Sequence, residues 1–448
     1  MTRGREASNR RFPIALAMVG LLAVAGWVAT AWAAPTTVRV SVKSNGTEVN
    51  ADNDNPAISS DGRYIAFESV GAFTPGDTGT DGDVFVHDTQ TGTTQRASVT
   101  SNGTEVNSAD GSEDASISAD GNLVAFASDA ALSPGDHNNA LDVYVHDFSN
   151  GTTKRMSLTS NGSEVMADSE NPSISADGRY VAFQSDGALT PDDTNGVTDV
   201  YVRDRKTGTT RRVSLRAGGA QPTEDSTDPA ISGDGRDIAF VTSDGHMTAQ
   251  SDYGPSPLLD DDVFVRDMTA NTTRRVSLKT NGTEAETNSQ VASRLPAISA
   301  NGNFVTFESQ GGFVPADTNG FDDVYIRNLK AKTTSLVSLR SNGTVANKDS
   351  GVAAPAPLST NGRYVAFESV AQLVPSDGNT DRDVYMRDRT AGTTTRISVK
   401  SNGTGVSANH QEPAISADGR YVAFASLGAF TGGDSGNDFD VFLRGPLH

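Results

Sequence analysis

The chain has 448 residues and no cysteine, and its formal net charge at pH 7 is -20. The absence of cysteine excludes disulfide bonds, a thiol nucleophile and metal sites with cysteine ligands. The charge disfavours binding to nucleic acid and anionic lipid, and favours cations or basic partners. With 35% hydrophobic residues, 44 Gly and 18 Pro, the composition is too apolar for a disordered chain and is typical of short strands joined by many turns.

The first 33 residues have the pattern of an export signal. Four arginines among the first eleven residues precede an uncharged stretch from Phe12 to Ala33, which ends in the small-x-small sequence Ala31-Trp32-Ala33. The alternative is an uncleaved membrane anchor, since about 20 apolar residues span a bilayer. We expect residues 1–33 to be removed and the mature protein to be extracellular or periplasmic.

One pattern recurs seven times along the rest of the chain. A Pro-Ala-Ile-Ser-like strand ends in a two-residue turn, and a second strand of the type Tyr64–Ser69 follows. A third strand has the form Asp-Val-Tyr-Val-Arg-Asp, and a Thr-Gly-Thr-Thr turn leads to the fourth. The two-residue turns are Asp-Gly or Asn-Gly and begin at Asp61, Asp120, Asp177, Asp234, Asn301, Asn361 and Asp418. These dipeptides favour tight hairpins, because primed turns require positive φ.

Seven units of four strands predict an all-β fold, a seven-bladed β-propeller of four-stranded antiparallel blades. The last unit stops at Arg444 without a fourth strand, whereas residues 37–42 supply a spare one. We expect strand 37–42 to complete the last blade and close the ring, which removes an open sheet edge. The predicted domains are a signal over residues 1–33 and one propeller over 36–448. The blades are predicted at about 56–99, 115–158, 172–215, 229–278, 296–339, 355–399, and 413–444 with 37–42.

A resemblance to a known family lies in the same repeat. The run 171–183, Asn-Pro-Ser-Ile-Ser-Ala-Asp-Gly-Arg-Tyr-Val-Ala-Phe, followed by Asp199–Asp204, resembles the repeat of TolB-like (WD-like) propellers of secreted bacterial proteins. The resemblance covers residues 36–448. That family includes periplasmic proteins that bind a lipoprotein partner and the propeller halves of hydrolases. Because this sequence shows the propeller alone, the resemblance implies binding.

The long loops carry a repeated acidic motif. With strands numbered outward from the axis, loops 2–3 and 4–1 emerge on one face and the tight turns on the other, so binding is expected at the face of the long loops. Loop 2–3 repeats Asp-x-Asn-x-x-x-Asp, whose alternating oxygens resemble a short Ca²⁺ loop. The alternative is that these side chains cap their turns by bonding backbone N–H groups. The predicted metal ligands are Asp136, Asn138, Asp142, Asp193, Asn195, Asp199, Asp317, Asn319, Asp323, Asp377, Asn379 and Asp383, and blades 1 and 7 keep the carboxylates Asp77, Asp83, Asp434 and Asp440.

Loop 4–1 carries a second acidic set. If its carboxylates ring the central channel, they hold one cation or the basic side chain of a partner. The alternative is a solvated acidic rim. The members of this set are Asp52, Asp54, Asp110, Asp114, Asp168, Asp225 and Asp228.

Three other features have two interpretations each. Six Asn-Gly-Thr/Ser triplets match the glycosylation acceptor pattern, but their regular place after the fourth strand favours a turn. His87 and His146 stand where other blades have arginine, which predicts interchangeable surface positions. The irregular segment 244–262 of blade 4, with the lengthened linker 284–295, forms either a lip over the loop face or an inert insertion.

The sequence contains neither a Gly-x-Ser-x-Gly nor a His-Glu-x-x-His motif, so no catalytic or cofactor-binding residue is predicted. We expect a monomeric binding or scaffold protein that engages a protein or a cell-envelope polymer through its acidic loop face, with Ca²⁺ ordering the loops. A membrane partner is expected only if the signal stays attached. The alternative is an extracellular hydrolase or lyase that uses Asp residues and a channel-bound metal on the same face.

Overall fold

The structure is a computed structural model that describes residues 34–109, 111–248, 261–285, 292–351, 354–432, 434 and 438–448. These residues form strands and turns, and none of them forms a helix long and apolar enough to cross a membrane. The predicted export signal lies outside the described residues, so export stays a prediction.

The described chain contains twenty-seven strands, of five or six residues at the inner positions of the blades and of four residues at the outermost position. Blades 1 to 3 contain β2 (Asn53–Ile58), β3 (Tyr64–Ser69), β4 (Asp83–Asp88), β5 (Thr93–Arg96), β6 (Ser112–Ile117), β7 (Leu123–Ser128), β8 (Asp142–Asp147), β9 (Thr152–Arg155), β10 (Ser169–Ile174), β11 (Tyr180–Ser185), β12 (Asp199–Asp204) and β13 (Thr209–Arg212). Blades 4 and 5 contain β14 (Ser226–Ile231), β15 (Asp237–Thr242), β16 (Asp262–Asp267), β17 (Thr272–Arg275), β18 (Ser293–Ile298), β19 (Phe304–Ser309), β20 (Asp323–Asn328) and β21 (Thr333–Leu336). Blades 6 and 7 contain β22 (Tyr364–Ser369), β23 (Asp383–Asp388), β24 (Thr393–Arg396), β25 (His410–Ile415), β26 (Val422–Ser426), β27 (Asp440–Gly445) and β1 (Thr36–Arg39).

Every blade is an antiparallel sheet, and in blades 1 to 6 the strands follow chain order from the axis outward, so the seven-bladed prediction is confirmed. In blade 7 the outermost strand is β1, which pairs with β27 so that Thr37 lies opposite Arg444 and Val38 opposite Leu443. The predicted ring closure is therefore confirmed, with β1 ending at Arg39 rather than at residue 42.

Blade 6 differs from the others, because its sheet has three regular strands. Where the innermost strand is expected, two isolated bridges join Ser350 to Ser369 and Leu358 to Val365. Elsewhere the innermost strand has a bulge of two residues, but in blade 6 the corresponding interval runs from Gly351 to Pro357. Proline lacks the N–H group that the hydrogen-bond ladder of a β-sheet needs, so Pro357 disfavours a regular strand at this position.

The innermost strands of the seven blades surround a channel with a cavity volume of about 580 Å³. Its walls are the Pro-Ala-Ile segments that recur in the repeat, together with polar residues such as Asn55, Asp114 and Ser116. At the bulge of each regular innermost strand, one residue adopts positive φ, between 46° and 58°, and these residues are Asn55, Asp114, Asn171, Asp228, Leu295 and Glu412. Because the bulge lies near the start of the strand, it faces the side of the long loops.

The core lies between adjacent blades. The second and third strands are buried on both faces, and Phe67 and Phe85 of blade 1 pack with Val441 and Leu443 of blade 7. The Asp-Gly turn contributes a close contact, since Gly62 has φ of 77° and a Cβ there would lie 2.5 Å from the ring of Tyr421. Turn glycines therefore serve both hairpin geometry and the packing of one blade on the next.

Candidate binding site at the channel mouth

The first residue of every third strand is an aspartate that a serine of the fourth-strand segment holds in place. In blade 3, Ser214 Oγ donates a hydrogen bond of 2.5 Å to Oδ1 of Asp199. The same pairing occurs in all seven blades, through Ser41–Asp440, Ser98–Asp83, Ser157–Asp142, Ser277–Asp262, Ser338–Asp323 and Ser398–Asp383. Burial raises the pKa of Asp83, Asp323 and Asp383 to about 7.

A buried arginine lies among the loop 2–3 carboxylates. In blade 2, Nη1 of Arg155 is 3.1 Å from Asp136, 2.9 Å from Asp142 and 3.1 Å from Glu164. The phenol of Tyr144 donates to the other oxygen of Asp136. The guanidinium therefore provides, within the loop, the positive charge that the sequence analysis expected from Ca²⁺.

This arrangement recurs in six blades, and the arginines are Arg39, Arg96, Arg155, Arg212, Arg275 and Arg396. Blade 5 is different, because Leu336 occupies the arginine position. The glutamate of the following hairpin is also replaced, by Val345, and both apolar residues join one hydrophobic cluster. Within the described chain, neither Asp317 nor Asp323 forms an ion pair.

The predicted metal ligands therefore lie together, but around an arginine rather than an open cavity in blades 2, 3 and 6. Their asparagines also cap turns, since Asn319 Oδ1 accepts from Phe321 N at 2.8 Å and Asn138 Oδ1 from Ala140 N at 3.2 Å. Two groups have three carboxylate oxygens within 4.8 Å of one another, and these are Asp77, Asp83 and Glu105, and Glu48, Asp434 and Asp440. Arg96 and Arg39 contact these two groups, so Ca²⁺ binding stays a prediction that the geometry does not favour there.

The second acidic set divides into two kinds of residue. Asp52, Asp168 and Asp225 accept hydrogen bonds from backbone N–H groups of the preceding blade, for example Thr198 N to Asp225 at 2.9 Å. These three link blades. Asp54, Asp114 and Asp228 instead lie at the bulges of the innermost strands, and Asp110 lies outside the described residues.

At the bulges the carboxylates converge on the channel. Burial raises the pKa of Asp228 of blade 4. Repulsion from the carboxylates of Asp261, Asp114 of blade 2 and Glu170 raises this pKa further. Burial, Glu412 and Asp52 raise the pKa of Asp54 to about 6. We call Asp54, Glu68, Asp114, Glu170, Asp228, Glu308, Glu368 and Glu412 the mouth carboxylates.

Backbone and side-chain hydrogen bonds fix the mouth carboxylates in position. Asn171 N donates to Asp114 at 3.1 Å, and Asn55 N donates to Glu412 at 2.8 Å, so each carboxylate reaches the next blade. Glu68 accepts from Ala115 N at 3.1 Å. Among the described residues, Asp54, Asp114 and Asp228 form no ion pair, in contrast to the loop 2–3 aspartates with their arginines.

The glutamates of this group were missed by sequence reasoning. Glu68, Glu308 and Glu368 occupy the fifth position of the second strand, where other blades have Ala127, Val241 and Ala425. The available signal was an ionisable residue within a strand that is otherwise buried.

Two other predictions are settled by burial and hydrogen bonds. His87 and His146 are buried rather than on the surface, and each bonds a threonine of the adjacent strand at 2.9 Å; the surface prediction was wrong because the position packs between blades. The Asn-Gly-Thr triplets form turns as expected, with Asn45 Oδ1 accepting from Thr47 N at 3.0 Å. Residues 249–260 and 286–291 lie outside the described residues, so the predicted lip stays a prediction.

By sequence, neither a family model nor a curated protein matches the chain. Among solved structures, an oligogalacturonate lyase in complex with manganese matches with a TM-score of 0.54 at 11% identity, over 92% of this chain and 93% of the lyase. The β-propeller domain of the Trilobed protease from Pyrococcus furiosus matches with a TM-score of 0.50 at 12% identity, over 84% and 91%. TolB from Acinetobacter baumannii matches with a TM-score of 0.39 at 13% identity, over 89% of this chain and 80% of that chain. The chain is a seven-bladed β-propeller, and the lyase and the protease domain, with TM-scores of 0.54 and 0.50, are similar to it in fold.

Proposed function

We propose that this chain is a binding protein whose mouth carboxylates engage a positively charged group of a partner, either a protein or a cell-envelope polymer. The observation that supports this is a contrast within one face. In six of the seven blades the loop 2–3 aspartates pair with an arginine of the same blade, whereas Asp54, Asp114 and Asp228 form no ion pair in the described chain although like-charged groups lie near Asp54 and Asp228.

Electrostatics gives this contrast a functional meaning. Carboxylates that repel one another and are partly desolvated are stabilised by any cation that approaches them, so a cationic group gains more there than at a neutralised surface. The formal charge of -20 acts at longer range and accelerates encounters with basic partners. The Pro-Ala-Ile segments of the channel walls below the carboxylates add an apolar surface for the aliphatic part of such a group.

Capture from a cell-envelope extract tests the proposal. The wild type and the variant Asp54→Asn/Asp114→Asn/Asp228→Asn are immobilised, and bound species are eluted with increasing salt. The proposal expects a partner that the wild type retains at low salt, that moderate salt releases, and that the variant loses. Equal retention by both proteins would contradict it.

Calcium belongs to this proposal only at blade 5. There Leu336 replaces the arginine, so no guanidinium occupies the space between Asp317 and Asp323. Thermal unfolding in EDTA and then in excess Ca²⁺ tests this part. A rise in melting temperature with Ca²⁺ that Asp317→Asn abolishes is expected, and an unchanged melting temperature would remove calcium from the proposal.

A polysaccharide lyase is the second candidate, because the fold is shared with an oligogalacturonate lyase in complex with manganese. The mouth carboxylates disfavour it, since a polyanionic substrate is repelled by a negative channel mouth. None of the described residues that line the channel is a histidine, the commonest ligand of such a metal. Formation of an unsaturated product from oligogalacturonate with added Mn²⁺, followed by ultraviolet absorbance, would establish the lyase instead.

A further inference from the structure

The channel mouth is not uniform, and its most unusual place lies between blades 5 and 6. Three carboxyl groups gather there, those of Glu308, Asp322 and Glu368, which are 2%, 8% and 1% exposed. Two arginines lie beside them, Arg294 with Nη2 3.1 Å from Glu308 and Arg382 with Nη1 3.8 Å from Glu368. We call these five residues the notch.

One carboxylate oxygen of Glu308 has no hydrogen-bond donor in the described chain, whereas the equivalent side chains of blades 1 and 3 accept from a backbone N–H group of the next blade. In blade 1, Glu68 Oε1 accepts from the backbone N–H of Ala115 in the next blade, and in blade 3 Gln184 Oε1 accepts from Asp228 N. In blade 5, Oε1 of Glu308 accepts from Arg294, while Oε2 is buried and has no hydrogen-bond partner among the described residues.

The difference coincides with the longer innermost segment of blade 6. Elsewhere the two-residue bulge brings one backbone N–H to the carboxyl or amide of the preceding blade. In blade 6 the interval between Gly351 and Pro357 is longer, and none of its described residues donates a backbone N–H to Glu308. A buried carboxylate oxygen without a donor is costly, and a native structure retains few of them.

We propose that the notch binds a primary ammonium group of the partner, such as a lysine side chain, which donates a hydrogen bond to Oε2 of Glu308. This inference rests on the proposed function and names the chemistry of the group that the mouth receives. Three carboxyl groups lie beside two guanidiniums, and burial together with the neighbouring Asp322 and Glu368 raises the pKa of Glu308 to about 8, so the notch favours an additional positive charge. An ammonium supplies both that charge and the missing donor.

The neighbouring residues favour an ammonium group over other cations. Ca²⁺ requires six to eight oxygen ligands, whereas Glu308 offers a single unpartnered oxygen, Oε2, and its other oxygen already accepts from the guanidinium of Arg294. A second guanidinium is planar and larger, while an ammonium is compact and carries three donors. The side chains of Arg294 and Arg382 are 43% and 28% exposed, so the two guanidiniums form the solvent-facing edge of the notch and the carboxyl group of Glu308 lies behind them.

Titration with Nα-acetyl-lysine amide and with oligolysine tests the inference on the full chain. Glu308→Gln is the test variant, because Gln184 shows that the amide fits this position. Asp186→Asn is the matched control, since it removes one exposed carboxylate of the same face. We expect Glu308→Gln to weaken both ligands by about tenfold or more, as for loss of a hydrogen bond to a charged group, and the control by less than about twofold.

The remaining outcomes separate the inference from the proposed function. Nα-acetyl-Nε-trimethyllysine amide, whose side-chain ammonium has no N–H donor, is expected to bind at least about tenfold more weakly than Nα-acetyl-lysine amide. If oligolysine binds the wild type but Glu308→Gln binds both ligands unchanged, the notch is not the site and the proposed function stands. If oligolysine does not bind the wild type, both fail. Glu308→Gln must also melt no lower than the wild type at pH 9, where removal of a buried charge is expected to stabilise it.

Discussion

Arg155 places Nη1 2.9 Å from Oδ2 of Asp142, and both side chains are buried. The pair joins the outermost strand of blade 2 to the first residue of its third strand. Because a guanidinium cannot lose its charge at physiological pH, the loop 2–3 carboxylates it contacts are permanently compensated. Pairing with a buried arginine of the same blade therefore distinguishes the aspartates of loop 2–3 in six blades from Asp54, Asp114 and Asp228 at the channel mouth.

Removing that arginine is expected to be strongly destabilising. Arg155→Leu leaves Asp136, Asp142 and Glu164 without a counter-charge, and breaking one side of a buried ion pair typically costs about 3–5 kcal/mol. Chemical denaturation measures the change in the free energy of unfolding. A loss below about 1 kcal/mol would show that the carboxylates are hydrated or protonated and do not need the arginine.

Blade 5 supplies the matched control for this substitution. It carries Leu336 and Val345 where blade 2 carries Arg155 and Glu164. The double variant Arg155→Leu/Glu164→Val is therefore expected to recover at least about 1 kcal/mol of the loss from Arg155→Leu alone, since neighbouring residues couple by this order. Additive effects of the two substitutions would contradict the inferred coupling.

A serine in the hairpin after the fourth strand contacts the next blade, and its absence before blade 4 suggests a stabilising substitution there. Ser160 Oγ accepts a 2.9 Å hydrogen bond from Thr210 N of the next blade, and most blades repeat this contact. Ala217 occupies the equivalent position before blade 4. Ala217→Ser is expected to raise the free energy of unfolding by about 0.5–1.5 kcal/mol, and Ser160→Ala to lower it by a similar amount. Equal stability of Ala217→Ser and the wild type would contradict the equivalence of the two hairpins.

The dependence of stability on pH follows from the buried glutamates. Burial raises the pKa of Glu68 from 4.5 to about 8, so the folded state holds this proton more tightly than the unfolded state. The stabilisation is fully present below pH 4.5 and is lost as the pH rises through about 8. We expect the melting temperature to fall from about pH 5 to about pH 9.

Glu68→Gln is expected to flatten that decline. The substituted amide can accept from Ala115 N and donate to Asp54, as Gln184 accepts from Asp228 N and donates to Glu170 in blade 3. The aspartates at the opposite face act in the other direction, since Arg179 lowers the pKa of Asp204 to about 2. Their contribution is present above pH 3.8 and is lost as the pH falls towards 2. A melting temperature that does not change between pH 5 and 9 in the wild type would contradict the burial of Glu68.

Most of the fold was predictable because the repeat is nearly periodic in the sequence. The Asp-Gly turns, the alternation of strands and the spare strand before Val40 determine blade number and closure without any tertiary information. The innermost segment of blade 6 was not predicted as irregular, since Pro355 and Pro357 lie within an otherwise familiar strand pattern.

The site was predictable only in part. The acidic motif of loop 2–3 is visible in the sequence, but its counter-ion Arg155 lies thirteen residues beyond Asp142 on another strand, so the motif resembled a metal loop. The convergence of Asp114 and Asp228 depends on how blades 2 and 4 face the axis, which a repeat pattern does not specify. Glu308 could not be identified from the sequence, because the lack of a hydrogen-bond donor to its Oε2 among the described residues is apparent only in the three-dimensional structure.

The central claim is that the mouth carboxylates, and not the total negative charge, bind a cationic partner. Fluorescence anisotropy of labelled oligolysine tests it with two triple variants of equal charge. Asp54→Asn/Asp114→Asn/Asp228→Asn alters the mouth. Asp120→Asn/Asp177→Asn/Asp234→Asn alters the opposite face, where Asn301 and Asn361 show that asparagine keeps the turn. We predict that the first variant weakens binding by at least about tenfold, as expected for lost contacts with charged groups, while the second stays within about twofold of the wild type. Equal weakening by both variants would show that net charge alone attracts the ligand, and would contradict the proposed site.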